Sequence, residues 1–156
     1  MAGLPPIISI ITPSYNRVDE LKHLYISLQE QSVDLNLFEF IISDDGSTDS
    51  TEDIVKQWQS ESPFKIKFIT QENQGPGAAR NHGLEHSEGE LILFIDSDCE
   101  AHPDWIKTIY EEYLNDSFDA YGGPDAAKDD FTTLQKAIDF AMTSFFTTPY
   151  YAPYTW

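Results

Sequence analysis

The chain has 156 residues, 40% of them hydrophobic and 13% aromatic, enough for one folded domain that hides roughly 70% of its unfolded surface. Its 27 acidic residues against 9 basic ones give a formal charge of −18, which repels nucleic acid and anionic lipid, both of which need Lys/Arg patches, and excludes nucleic acid as a partner. A phosphate-bearing ligand would need its charge met by the two arginines, Arg17 and Arg80, or by a divalent cation held on carboxylates.

The opening "MAGLPPIISII" has no basic region of the secretory kind, and its apolar run is far too short to span a bilayer. The run "IISII" at 7–11 has strand length and is followed by the polar loop "TPSYNR", Thr12 to Arg17. Leu21, Leu24, Tyr25 and Leu28 then keep the i, i+3, i+4, i+7 spacing of a helix. A second strand, "FEFII" at 38–42, leads into "SDDGSTD", where Asp49 and Glu52 form a capping pair ahead of Ile54, Val55 and Trp58. The third strand, "KIKFI" at 65–69, leads through "QENQGPGAARN" into a helix from Pro76 to about Ser87. The fourth, "LILFI" at 91–95, runs into "DSDCE". Pro103 then takes the first position of a helix whose apolar stripe is Trp105, Ile106, Ile109, Tyr110, Tyr113 and Leu114. A further strand is expected from Phe118 to Tyr121 into "GGP", and a helix around Thr133 to Phe145. The final "SFFTTPYYAPYTW" keeps no period and takes no element.

Strands alternating with helices predict an α/β fold, a mostly parallel sheet with right-handed crossovers, as a single domain over 1–156. The strands' β-branched and aromatic content suits burial on both faces. Cys99, alone, makes no intramolecular disulfide and lacks the companions of a zinc site. The expected setting is the reducing cytoplasm, with membrane association left to a longer parent protein.

In open α/β sheets ligands bind beyond the carboxyl ends of the strands, and here all four loops at that edge are rich in polar residues. Asp96 and Asp98, two apart on a chain still extended as it leaves the sheet, can share one target. That target is either solvent, as in any acidic turn, or a hard cation such as Mg²⁺ or Mn²⁺, which takes one or two protein carboxylates and fills its other positions from substrate phosphate. Asp44 and Asp45 offer acceptors to a ribose or a base, with turn capping as the alternative for Asp44. Tyr15 offers a face for stacking a base or for packing on the core rim. Arg80 belongs to the segment opening the third helix, whose amino end favours anions; Arg17 lies in the first loop of the same edge. "GPGAAR" is no dinucleotide fingerprint, because Arg80 occupies the third glycine position. His82 and His86, one helical turn apart, and His102, which suits a helix cap, show no zinc spacing with other ligands.

The ordered set "ITPSYNR", "SDDGSTDST", "NQGPGAARNHG", "FIDSDC" and "GGP", covering about residues 7–124, resembles the inverting glycosyltransferase family 2. The resemblance implies a GT-A fold, Rossmann-like, that transfers a sugar from a nucleoside-diphosphate donor to a glycan, lipid or other acceptor hydroxyl with inversion. It implies that Pro13 and Tyr15 line the base pocket and Asp45 hydrogen-bonds the base. Arg80 would approach the nucleotide, Asp96 would lie by ribose and metal, and Asp98 would ligate the metal. The family's general base usually stands in a later acidic motif that is not found before Trp156; Asp125, Asp129 and Asp130 follow "GGP" without assignment. Residues 125–156 are therefore expected to begin an acceptor-side region that is incomplete, in a chain truncated at its carboxyl end. Two rivals stand beside this reading: a noncatalytic module that binds nucleotide sugars, and a DxD phosphatase of the haloacid-dehalogenase type, with "FIDSDCE" as its nucleophile strand.

Overall fold

The four apolar runs form strands β1 (Ile8–Ser14), β2 (Phe38–Asp44), β3 (Lys65–Thr70) and β4 (Leu91–Phe94). They are joined by α1 (Val18–Gln29), α2 (Thr51–Glu61) and α3 (Pro76–Glu85) and followed by α4 (Trp105–Asn115). A short 3-10 turn, Leu35–Leu37, precedes β2, with the Asp34 side chain accepting from the Asn36 amide. This is a computed structural model, and it describes residues 6–115. The chain divides into two compact units, Met1–Asp116 and Ser117–Trp156. The expected strand into "GGP", the helix around Thr133 to Phe145, and Asp125, Asp129 and Asp130 lie outside the described residues.

Every strand pair is parallel, in the order β3-β2-β1-β4. All seven residues of β1 and all seven of β2 are buried, which is why these runs are apolar without alternation. β3 carries exposed or half-buried positions at Lys65 and Lys67, and the last residue of β4, Phe94, is exposed. α1 contributes Leu21, Leu24 and Leu28 to the core, α2 contributes Val55 and Trp58, and α4 contributes Ile106 and Ile109. Tyr25 stacks on Trp58 with ring centroids 4.3 Å apart, joining α1 to α2. α3 lies close over the sheet at Gly83, where a Cβ would come within 2.4 Å of Ile11 Cγ2.

Three local expectations change. α4 begins at Trp105, two residues after Pro103, and only Ile106 and Ile109 of its stripe are fully buried, with Leu114 exposed. Asp49 does reach the start of α2, accepting from the Thr51 amide at 3.0 Å, but Glu52 pairs with Lys56 instead of closing a capping box. The chain is not extended through "DSD": β4 stops at Phe94, and Ser97 and Asp98 form a turn closed by the Cys99 amide donating to Asp96 O at 3.1 Å. A turn satisfies backbone groups that have no neighbouring strand to pair with beyond the end of β4.

At the amino edge of the sheet Glu39 is fully buried, an ionised residue inside an apolar run. Cross-strand register sets Ser9 and Lys65 on either side of it. Ser9 Oγ donates to Glu39 Oε1 at 2.8 Å, as does the Glu88 amide, and Lys67 and Lys65 Nζ lie 3.0 and 3.2 Å from Oε2. Burial pushes the Glu39 carboxyl up, but these donors outweigh it and hold it below the usual range.

Candidate donor-binding site

The strand order reverses beside β1, because β2 and β3 extend to one side and β4 lies on the other. Loops leaving such a switch point separate and open a crevice. The loops after β1 and β4 are pinned at their base: the Ile95 amide donates to Ile11 O at 3.2 Å, and Thr12 Oγ1 donates to Ile95 O at 2.9 Å. Beyond this tie lies a cavity of about 540 Å³, a size that suits a small-molecule ligand. Pro13, Tyr15, Arg17, Asp45, Arg80, Asp96 and Asp98 all line it, together with Ser14, Asn73, Gly75, Pro76 and Ser97. Seven residues singled out from four separate segments, with Pro13 at the end of β1 and Arg80 inside α3, thus line one cavity.

Asp45 sits at the floor with its carboxylate held by the loop before α3. Gln71 Nε2 and the Gln74 amide donate to Oδ1 at 2.8 and 2.9 Å, and the Gly75 amide donates to Oδ2 at 2.8 Å. Burial pushes this carboxyl up, but the three donors prevail and keep it below the ordinary aspartate range. A carboxylate has about four acceptor positions, so one remains on Oδ2 for a ligand N–H. Gly75 adopts φ +92° at the turn into α3, a conformation open to glycine at little cost, and Pro76 starts the helix without needing an amide partner. Asp44 does a different job: its Oδ2 accepts from the Gly46 and Ser47 amides at 3.2 and 2.9 Å, so it shapes the turn. Its buried Oδ1 has no hydrogen-bond partner, and neither does the buried Oγ of Ser14, which does line the cavity.

Across the mouth, Arg17 Nη1 lies 3.4 Å from Asp98 Oδ2, and Arg80 pairs with Asp96. Each arginine therefore ties one wall to the "DSD" turn. All four side chains are a third or more exposed, and ion pairs of that kind contribute about 0–1 kcal/mol, so an incoming ligand can exchange partners with them. Tyr15 is 47% exposed and lines the cavity.

Among the described residues no group of three or more His, Cys, Asp and Glu side chains forms a cage for a metal. Two carboxylates facing one cavity nevertheless match the donor chemistry of Mg²⁺ or Mn²⁺, which take oxygen ligands and leave positions to water and phosphate. The Asp96 and Asp98 pair fits such an ion. The histidines do not gather there: His82 and His86 pack edge to face at 4.7 Å, and His102 lies in the turn before α4, its Nδ1 accepting from the Asp104 amide at 3.2 Å. The sequence reading missed Gln71, Asn73 and Gln74, ordinary turn residues whose role depends on how the loop folds over Asp45.

Comparison with known proteins agrees with this geometry. Residues 9–155 match the model of glycosyl transferase family 2. The chain is 30% identical over 123 residues to glycosyltransferase AglE of Haloferax volcanii, covering 79% of this chain and 40% of that protein. It is 34% identical over 125 residues to validoxylamine A glucosyltransferase of Streptomyces hygroscopicus, covering 79% and 27%. The crystal structure of S. aureus TarS 1–349 in complex with UDP-GlcNAc superimposes with a TM-score of 0.65 at 28% identity, covering 79% of this chain and 38% of that one. The chain thus spans 40% or less of the length of these relatives. No helix among the described residues is long and apolar enough to cross a membrane. The family match also removes the phosphatase reading of "FIDSDCE", which left the other three loops without a task. With a parallel sheet of GT-A type, a cavity at its switch point and motifs in matching order, this chain belongs to glycosyl transferase family 2.

Proposed function

We propose that the chain is the donor-binding part of an enzyme that transfers a sugar from a nucleoside diphosphate to an acceptor hydroxyl, with inversion at the anomeric carbon. The observation that carries the reading is the convergence of both arginines of a strongly acidic chain on one cavity with Asp45, Asp96 and Asp98. The UDP-GlcNAc held by TarS supports a nucleotide sugar as the ligand class.

In this reading the base lies against Pro13 and Tyr15 and gives an N–H to the open acceptor position of Asp45. Asp96 reaches the ribose, and Arg17 and Arg80 turn from their carboxylates to the diphosphate. Asp98, with Asp96, would hold Mn²⁺ or Mg²⁺, which when bound neutralises charge on the diphosphate leaving group. In the reaction an acceptor oxygen bonds to the anomeric carbon as that carbon's bond to the β-phosphate oxygen breaks. The bonding pair departs with the nucleoside diphosphate, and the acceptor's proton passes to a general base. The acceptor is a glycan, a lipid or another hydroxyl compound. The cytoplasm, with membrane association of a longer parent, is part of the same proposal.

Calorimetric titration of UDP, GDP and dTDP, with and without Mn²⁺, tests it. At least one nucleotide should bind in a metal-dependent way, and Asp98→Ala should remove the metal's effect. Binding that ignores the metal would count against the cation's role, and absence of binding by all three would overturn the donor reading.

A further inference from the structure

Asn16 is the one non-glycine residue with a left-handed backbone among the described residues, at φ +51°, a conformation asparagine tolerates better than most side chains. It stands between Tyr15 and Arg17, which both line the cavity, and does not line it itself. Its side-chain Oδ1 accepts from the Thr48 amide at 2.8 Å and the Asp49 amide at 3.3 Å. Its own amide donates to Ser47 Oγ at 2.8 Å. The tie is returned one residue beyond Arg17, where the Val18 amide donates to Asp49 Oδ2 at 3.3 Å. With Thr48 Oγ1 also donating to Asn16 Oδ1 at 3.4 Å, five hydrogen bonds fasten residues 16–18 to residues 47–49.

The arrangement does two things at once. The left-handed residue bends the chain between Tyr15 and Arg17, and the carboxamide locks that bend to a segment that is itself anchored, since Asp44 holds the Gly46 and Ser47 amides. Without the lock, Tyr15 and Arg17 would have to be ordered when the ligand arrives, and ordering side chains at binding lowers affinity.

We propose that Asn16 is a positioning residue for donor binding: clasped to residues 47–49, it sets Tyr15 and Arg17 toward the cavity before the nucleotide enters. This rests on the donor-binding reading above. The test uses the full chain and three substitutions. Asn16→Gly keeps the backbone conformation without the acceptor; Asn16→Asp keeps an acceptor and tolerates the turn; Asn16→Ala loses both. UDP, GDP and dTDP are titrated calorimetrically with Mn²⁺, well below the melting temperature of each variant. Asn16→Gly and Asn16→Ala should bind about tenfold more weakly, the scale of re-ordering two side chains, and Asn16→Asp should restore most of the affinity. Combined with Tyr15→Ala, the effect of Asn16→Ala should shrink, because the two act through one contact. Amide hydrogen exchange without nucleotide should be faster at Thr48 and Asp49 in the Gly and Ala variants and slow in Asn16→Asp.

Unchanged affinity in Asn16→Gly, or additive effects of Asn16→Ala and Tyr15→Ala, would overturn the positioning role while leaving the donor reading intact. A wild-type chain that binds none of UDP, GDP and dTDP would overturn both, even with the Thr48 and Asp49 amides protected. Equal exchange at those amides in all variants would overturn the clasp itself.

Discussion

Asp44 and Asp45 are neighbours with different tasks, and the difference comes from where β2 ends. Asp44 is the last strand residue and folds back onto the turn amides, whereas Asp45 is aimed across the cavity floor at the loop before α3. Replacing Asp45 with Asn would put an amide group where one of the oxygens now meets N–H donors. Asp45→Asn should therefore lower folding stability by about 2 kcal/mol, the scale of lost charge-assisted hydrogen bonds, and weaken nucleotide binding; denaturant melts and calorimetry would measure the two separately. The folded carboxyl is held below 3.8, so its contribution is complete above that pH and fades only as pH falls beneath it. Both aspartates were legible in the sequence as candidates for this edge. What was not legible is that Gln71 and Gln74 hold one of them, since contacts across 26 and 29 residues depend on loop shape rather than on residue type. The "DSD" triplet shows the same limit: its acidity was readable, but the turn that aims it was not, because β4 lets go of β1 one residue sooner than the apolar run suggests.

At the scale of elements, β2 and β3 illustrate what apolar patterning conveys and what it omits. The runs at 38–42 and 65–69 announced strands covered on both faces, whereas the second of them, β3, is mostly half-buried or exposed. The register that lines up Ser9, Glu39 and Lys65 leaves no trace in any single segment. Yet it decides stability at that end, because Glu39 would be intolerable there without Ser9, the Glu88 amide and two lysines. Glu39→Ala would leave the Ser9 hydroxyl and the Glu88 amide without their acceptor, a loss of about 1–3 kcal/mol, so it should lower the melting temperature measurably. Acid should probe the same cluster. Lys65 and Lys67 draw the Glu88 carboxyl down to about 2 from 4.5. A carboxyl depressed in the folded state stabilises fully above its unfolded value and loses that contribution as pH falls through the folded one. Thermal melts should therefore decline between pH 4.5 and 2, and Glu88→Gln should decline less over that window. The helices follow a similar division. Leu21, Leu24 and Leu28 were readable as a buried stripe, while the half-open stripe of α4 was not, since how much of a helix is covered depends on its neighbours and not on its own period.

For the whole molecule, the dominant quantity is the charge of −18, set against only two arginines that both reach the cavity. An anionic nucleotide approaching without metal meets a repulsive field at long range and an attractive patch at short range. The Debye length shrinks from about 30 Å at 0.01 M salt to about 10 Å at 0.1 M. Added salt should therefore screen the distant carboxylates more than the close arginine contacts. In stopped-flow association without metal, the on-rate of UDP should rise as salt increases over this range, while Mn²⁺ binding alone should weaken. An on-rate that falls with salt would mean that the local arginine patch, not the overall charge, governs approach.

The strand order has one more effect, on how the molecule is made. Among the described strands β1 is synthesised before the others and ends up between β2 and β4, with all seven of its residues buried. Its partner on one side, β2, is complete by Asp44, but β4 does not begin until Leu91. A ribosome adding about 5–20 residues per second therefore leaves one flank of this apolar strand, with its hydrogen-bonding groups, without its final neighbour for several seconds. Such an open flank is a template for pairing with other chains. The nascent protein is most exposed to aggregation in that interval, before the segment carrying Asp96 and Asp98 has emerged to close both the sheet and the cavity.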